Sequence, residues 1–383
     1  MKNKNMGQNI IEYIREETLK KILSVKSVKK SWHNGWKEKI EQYIGTPATV
    51  TSILNLGDHL RDIFKETSPE SDTRGSRAET SANGNDENAQ GILSESGTCW
   101  ENLVCWYLNL CLIGRRTVVF KNYKSFMPSC INEALTVTYT TRDGKKHESD
   151  SELDLVAITF PNSIDYAIDK EEIEAFNTTD NRRINTHSRK YPLKPVLDYL
   201  CARDFKDLKI DVLQCKTNWN DNVQILLLWD IIYNDFRSKP MDKKNTGCFK
   251  HGIYVGTSAY SINDLPEGAF SYSFITAPSN SLIDDNGNDA YTTEKVSIWR
   301  VNRLSGGNYW GKQTVPGVAS SVKDILLKGP LNKEEKNISE TLSNAIPLLS
   351  SNAINCYHPS TTQIDPVGNS NPRDFIYNIS FEE

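Results

Sequence analysis

Asp154 lies in the run ELDLVAIT at 152–159, and Gln214 and Lys216 lie in the run KIDVLQCK at 209–216. Both runs read as strands, in which side chains alternate between faces. Glu152 and Asp154 therefore share a face with Val156. Gln214 and Lys216 share one face of their strand, and Asp211 and Cys215 take the other. If the two strands are neighbours, a carboxylate faces an amide oxygen and an ammonium group. A carboxylate with an amide oxygen can hold a divalent cation, and the ammonium can orient water and offset charge developing on an anionic group. The chemistry such a set suits is hydrolysis of a phosphodiester. A plainer role exists for each residue: Asp154 in a solvated patch with Asp150 and Glu152, and Lys216 as a solvated strand end before the polar run TNWND.

The elements that must position these residues follow in a readable order. TCWENLVCWYLNLCLIG places Trp100, Leu103, Val104, Tyr107, Leu108 and Cys111 on one helical face, with Thr98 as N-cap and Gly114 as stop. Glu101 on this helix fits the Glu of a capping box T-x-x-E. ALTVTYTT at 134–141, the turn residues Arg142, Asp143, Gly144 and Lys145, and the strand at 152–159 predict a hairpin. A polar insertion at about 165–207 precedes the strand at 209–216. An apolar-faced helix at 222–236 and a strand at 251–257 complete an αβββαβ order. Asn220, Asp221 and Asn222 read as caps of that helix, and Gln224 on its first turn points back toward the strand ends.

The residues E-L-D-L-V-A at 152–157, V-L-Q-C-K at 212–216 and Glu101 on the preceding helix resemble the PD-(D/E)XK nuclease superfamily, which contains most type II restriction endonucleases. The resemblance covers about residues 97–260. It implies an α/β fold with a mixed central sheet of restriction-endonuclease type, flanked by a helical N-terminal region and extra C-terminal strands and helices. It implies an endonuclease cutting double-stranded DNA with Mg²⁺, or Mn²⁺ in its place. A homodimer follows by analogy, since cutting both strands of a symmetric site needs two centres related by a two-fold axis. Asp154 matches the motif's aspartate and Lys216 its lysine. The implied metal contacts are Asp154, Glu101, Gln214 and Cys215, with Glu152 in reserve. Two departures stand out. Gln214 replaces the acidic residue of the (D/E)XK half, a QxK variant similar to that of restriction enzymes acting on modified DNA. The gap between Asp154 and Gln214 is longer than usual, which leaves room for an inserted recognition element. Two rival readings are a nuclease fold that binds DNA without cutting it, and a nuclease acting on RNA.

Composition sets the frame around this core. The 383 residues carry a net charge of −4, so no bulk basic excess advertises nucleic-acid binding, and any such surface must be local. Residues 1–65 predict a helical region with an apolar stripe through Ile10, Ile11, Ile14, Leu19, Ile22 and Leu23. Its Lys20, Lys21, Lys26, Lys29 and Lys30, with Trp32 and Trp36, form either a solvated face or one that meets phosphates. Residues 66–96 are poor in large apolar side chains and read as a linker or disordered loop, before a core at 97–320 and an extension at 321–383. Near 303–312 a glycine-rich turn carries Arg303, Asn308 and Lys312, which suit contacts to DNA as well as an ordinary hairpin. The eight cysteines show no paired CxxC spacing, the six histidines show no metal-site spacing, and no long apolar run or export signal is present. The expectation is reduced thiols, a cytoplasmic location and no membrane partner.

Overall fold

The computed structural model describes residues 9–45, 48–67, 86–121, 126–141, 143–149, 153–216, 253–276, 322–327 and 337–345, with a few isolated positions between. The fold is mixed α/β, with a four-stranded mixed sheet and a smaller antiparallel sheet. The main sheet contains β1 (Thr117–Lys121), β4 (Leu155–Thr159), β5 (Lys209–Lys216) and β7 (Phe270–Thr276) in the order β1-β4-β5-β7. β1 and β5 run antiparallel to β4, whereas β7 runs parallel to β5. The smaller sheet has the order β3-β2-β6, formed by β2 (Val137–Thr140), β3 (Lys146–Ser149) and β6 (Ile253–Val255).

Helices cover both faces of the main sheet, and the strand sequences say why. β4 reads LVAIT and is buried at every position, so neither face can be left to water. Val118, Phe120, Val156, Ile158, Val212 and Phe274 point into one apolar layer. That layer is closed by α6 (Ser129–Ala134), α7 (Leu193–Arg203) and the first turns of α1 (Ile10–Leu23). Val119, Leu155, Ala157, Leu213, Cys215 and Ile275 point into the other, against α5 (Asp86–Cys111). Packed on α5 are α2 (Lys26–Ser31) and α4 (Val50–Thr67), and α3 (Lys37–Ile44) packs in turn on α4.

α5 is the central helix. The predicted face of Trp100, Leu103, Val104, Tyr107, Leu108 and Cys111 is buried, but so are Cys105, Trp106 and Leu110 on its other sides. The N-terminal helices account for this: Trp32 meets Trp106 edge-on at 5.5 Å and Phe64 meets Trp100 at 5.5 Å. The N-terminal region is therefore part of the core, and Trp32 and Trp36, each 1% exposed, do not face a phosphate backbone. Gly57 lets α4 come close, because a Cβ there would meet the backbone nitrogen of Lys323 at 2.7 Å as well as the Tyr107 hydroxyl. That hydroxyl donates to the Leu54 carbonyl at 2.7 Å. Gly114 carries φ 77° just past α5 and stops it as expected.

Several sequence expectations are corrected by this topology. α5 begins at Asp86, not at Thr98, so Thr98 is mid-helix, and the capping-box reading of Glu101 falls. The same helix occupies part of the stretch read as linker, where Ser96 is fully buried; residues 68–85 lie outside the described ones. The turn at 141–145 forms, with Thr141 N–H donating to the Lys145 carbonyl at 2.8 Å. Its return strand is β3, not the run at 152–159, because a tight turn pairs the residues next to it. The run at 251–257 supplies β6, which pairs with β2 rather than joining the main sheet. β1 and β7 were not read from the sequence. The insertion at 165–207 is more than a polar appendage, since Val196, Leu197, Leu200 and Cys201 of α7 are buried in the core. Within 222–236, Leu228, Trp229, Ile232, Tyr233 and Phe236 are helical, and Phe236 packs on Phe270 at 5.3 Å. Among the described residues no helix is long and apolar enough to cross a membrane.

Candidate functional site

Sixty-one residues separate Asp154 from Cys215, yet the Asp154 carboxylate accepts the Cys215 backbone N–H at 2.6 Å. The sheet register causes this meeting. Leu155 pairs with Leu213 in the antiparallel β4–β5 ladder, so Asp154, one residue before β4, stands level with Gln214. Lys216 closes β5 level with Thr276 of β7, and its side chain lies outside the described ones. The strand adjacency anticipated for Asp154, Gln214 and Lys216 is thus present in the backbone.

Gln214 is fully buried. Its Oε1 accepts from the Tyr272 hydroxyl at 2.8 Å, while its Nε2 has no hydrogen-bond partner among the described residues. A buried amide donor left without an acceptor costs free energy, about 1–3 kcal/mol for a neutral group, so this nitrogen is poised for a partner. Tyr272 was missed in the sequence because β7 was missed. The alternation in FSYSFIT, with Phe270, Tyr272 and Phe274 on one face, was the signal that could have found it.

Glu101 reaches the site from α5 and pairs with Lys121 at the end of β1, Oε2 to Nζ 2.8 Å, with side chains only 19% and 13% exposed. Lys121 is a second residue that sequence reasoning missed, because the strand TVVFK was not recognised. Glu101 and Asp154 lie around one sulfur. The Cys215 thiol is pushed well above its ordinary pKa, first by burial and then by the Asp154 and Glu101 carboxylates, while Lys121 pulls the other way. Burial pushes the neighbouring Cys105 thiol up to about 12. The sulfur of Cys215 is therefore a protonated, buried group on the α5 side of the sheet.

These thiols give a direct check. Cys99, Cys105, Cys111, Cys130, Cys201 and Cys215 are all buried and unbridged, and the sequence adds only Cys248 and Cys356. An aromatic disulfide reagent at pH 8 is expected to titrate no more than those last two in the native protein, and all eight after unfolding. Rapid reaction of three or more native thiols would contradict the packing of α5 against β5.

Asp154, Glu101 and Lys121 thus lie around the Cys215 sulfur at one end of the main sheet, while the buried Gln214 amide packs with Tyr272 on the other face. Two carboxylates are enough for Mg²⁺, which keeps several waters and takes its remaining oxygens from a substrate phosphate. No group of three or more His, Cys, Asp or Glu able to hold a metal occurs among the described residues. Glu152, Gln224, the cap residues 220–222 and the loop with Arg303, Asn308 and Lys312 lie outside the described residues. No known protein family's sequence profile matches the chain, and no curated protein matches it.

Proposed function

We propose that this protein is a metal-dependent endonuclease for double-stranded DNA, built on a restriction-endonuclease-type core of the QxK kind. The observation that carries the reading is the contact of the Asp154 carboxylate with the backbone between Gln214 and Lys216. A connectivity of the expected kind adds support. In chain order, with other elements between them, come the helix α5, the antiparallel strands β1, β4 and β5, the helical residues Leu228, Trp229, Ile232, Tyr233 and Phe236, and β7 parallel to β5. Two strands that the sequence reading gave to this order, 134–141 and 251–257, belong instead to the smaller sheet.

In this reading Asp154 and Glu101 would hold Mg²⁺ or Mn²⁺. The bound cation would activate water and offset charge on the phosphate. Asp154 is already oriented, because its carboxylate accepts a fixed backbone N–H. Glu101 is held ready by Lys121, which would remain as a positive charge beside the phosphate when the carboxylate turns to a cation. Lys216 orients the attacking water and stabilises the negative charge of the phosphorane. Gln214, with Oε1 engaged by Tyr272, would have only its buried amide N–H groups left to offer. Cys215 serves through its backbone N–H, which fixes Asp154.

Metal-dependent nicking of a supercoiled plasmid tests the proposal: cutting with Mg²⁺ or Mn²⁺ and none in EDTA is expected, and robust cutting in EDTA would exclude it. Gln214→Glu sharpens the test. A carboxylate at 214 keeps the acceptor that Tyr272 needs and replaces the open donor with charge, so tighter Mg²⁺ dependence is expected. An unchanged metal titration with an unchanged rate would remove residue 214 from the site. A second reading, a DNA-binding protein that does not cut, is favoured by one observation, the absence of a carboxylate at 214. Binding without nicking under any metal would select it.

A further inference from the structure

Between Asp180 and Asp198 the chain carries Arg182, Arg183, Arg189, Lys190 and Lys194 and no acidic residue. In a protein of net charge −4, this is the kind of local basic surface that composition alone could not locate. The loop is held from beneath. Asn177 N–H donates to the Arg182 carbonyl at 2.8 Å and Ile184 N–H to the Ala175 carbonyl at 2.8 Å, around a turn in which Asn181 takes φ 55°. Thr186, buried, donates to the Glu171 carbonyl at 2.7 Å, and the Tyr191 hydroxyl donates to the Lys170 carbonyl at 2.9 Å. Ile173 and Ala175 are buried in the core below. With its backbone and apolar side chains used inward, the loop turns Arg182, Arg183, His187, Arg189 and Lys190 to solvent.

The charges on this loop are available. Arg182 and Arg183 have carboxylate partners at 3.5 and 3.7 Å, with every member of both pairs at least 44% exposed. Exposed pairs of this kind are worth little and exchange readily for a phosphate. Arg189 and Lys190 pair with no carboxylate among the described residues. At the loop's far end Lys194 ties to Ser129 Oγ at 2.7 Å. Ser129 opens α6, the helix that follows the Lys121 end of β1, and that is the end of the sheet where Asp154 and Glu101 gather.

We infer that residues 177–190 form a docking surface for the phosphate backbone of duplex DNA. The choice of duplex DNA rests on the nuclease reading; the polyanion rests on the loop itself. Contacts of this type position a duplex without reading its bases. They make affinity fall with salt, with a log–log slope of about −0.9 per phosphate neutralised.

The experiment uses the full chain in EDTA, with a blunt duplex of random sequence as probe and its Kd measured across a salt series. The variant R182A/R183A/R189A/K190A is expected to bind more weakly, by about tenfold or more near 0.15 M salt, with a slope shallower by about three. The variant R182K/R183K/R189K is expected to keep most of the slope, since the charges remain. If the quadruple variant melts early, Arg189→Ala and Lys190→Ala, both exposed and unpaired, take its place, each expected to lower the slope by about one. Unchanged affinity and slope in these variants would overturn the surface and leave the nuclease intact. A parent protein that binds and loses affinity as described yet never cuts with metal would overturn the nuclease and leave the surface standing. Preference for an RNA hairpin over the duplex in competition would overturn the choice of DNA.

Discussion

Asp154→Ala is expected to abolish Mg²⁺-dependent cutting, and Lys216→Ala to lower it by about two orders of magnitude or more, the scale of deleting one transition-state donor. The two losses have different causes. Asp154 accepts the Cys215 N–H at 2.6 Å, so its removal takes away both the proposed cation ligand and the anchor that joins the start of β4 to the end of β5. Lys216 closes β5 one residue beyond that anchor. The double variant should be hardly worse than Asp154→Ala alone, because residues acting as one unit are not additive. Duplex binding in EDTA should survive in Lys216→Ala. Asp154→Asn separates the roles of Asp154: its amide oxygen can still accept the Cys215 N–H, so folding is kept while cutting is lost. A folded Lys216→Ala protein that cuts at the parental rate would sink the assignment of this site.

Arg15→Met is expected to destabilise the fold by about 3–5 kcal/mol, the range found when one partner of a buried ion pair is removed. Arg15 is fully buried. Its Nε donates to Glu12 at 2.9 Å, and its two terminal nitrogens donate to the carbonyls of Thr117 at 3.0 Å and Arg115 at 2.7 Å. Glu12 in turn accepts the Gly114 N–H at 2.8 Å. One guanidinium therefore ties α1 to the turn between α5 and β1, and methionine fills the space while leaving a carboxylate and two carbonyls unanswered. Glu12→Gln added to Arg15→Met should recover part of the loss, because the uncompensated charge is gone while the Gly114 contact can persist. A denaturation midpoint for Arg15→Met within about 1 kcal/mol of the parent would place this network with ordinary surface pairs. Cutting activity below the melting range should change little, since Arg15 lies at the start of β1, the opposite end from Lys121.

The sequence by itself determined the local pieces. LVAIT and KIDVLQC are strands because short apolar, β-branched runs bounded by polar residues favour them. The α5 face was legible from its 3.6-residue spacing, Gly114 from its position after the last apolar turn, and the 141–145 turn from its Asp-Gly pair. Partner choice was not legible. Nothing local in β4 says that it pairs with β1 and β5 instead of closing the hairpin with β2; that depends on burying both of its faces at once, which only the assembled helices make possible. The same holds for Glu101. Its spacing from Thr98 fits a cap, but α5 extends back to Asp86, and the side chain instead meets Lys121 from a strand that the sequence reading passed over. Gln214 shows the limit most clearly: its residue type suggested an oxygen ligand, whereas the hydroxyl of Tyr272, 58 residues away, takes that oxygen and leaves the amide nitrogen open. A side chain's chemistry was written in the sequence, but which of its atoms stayed available was decided by a parallel strand pairing that no neighbouring residue encodes.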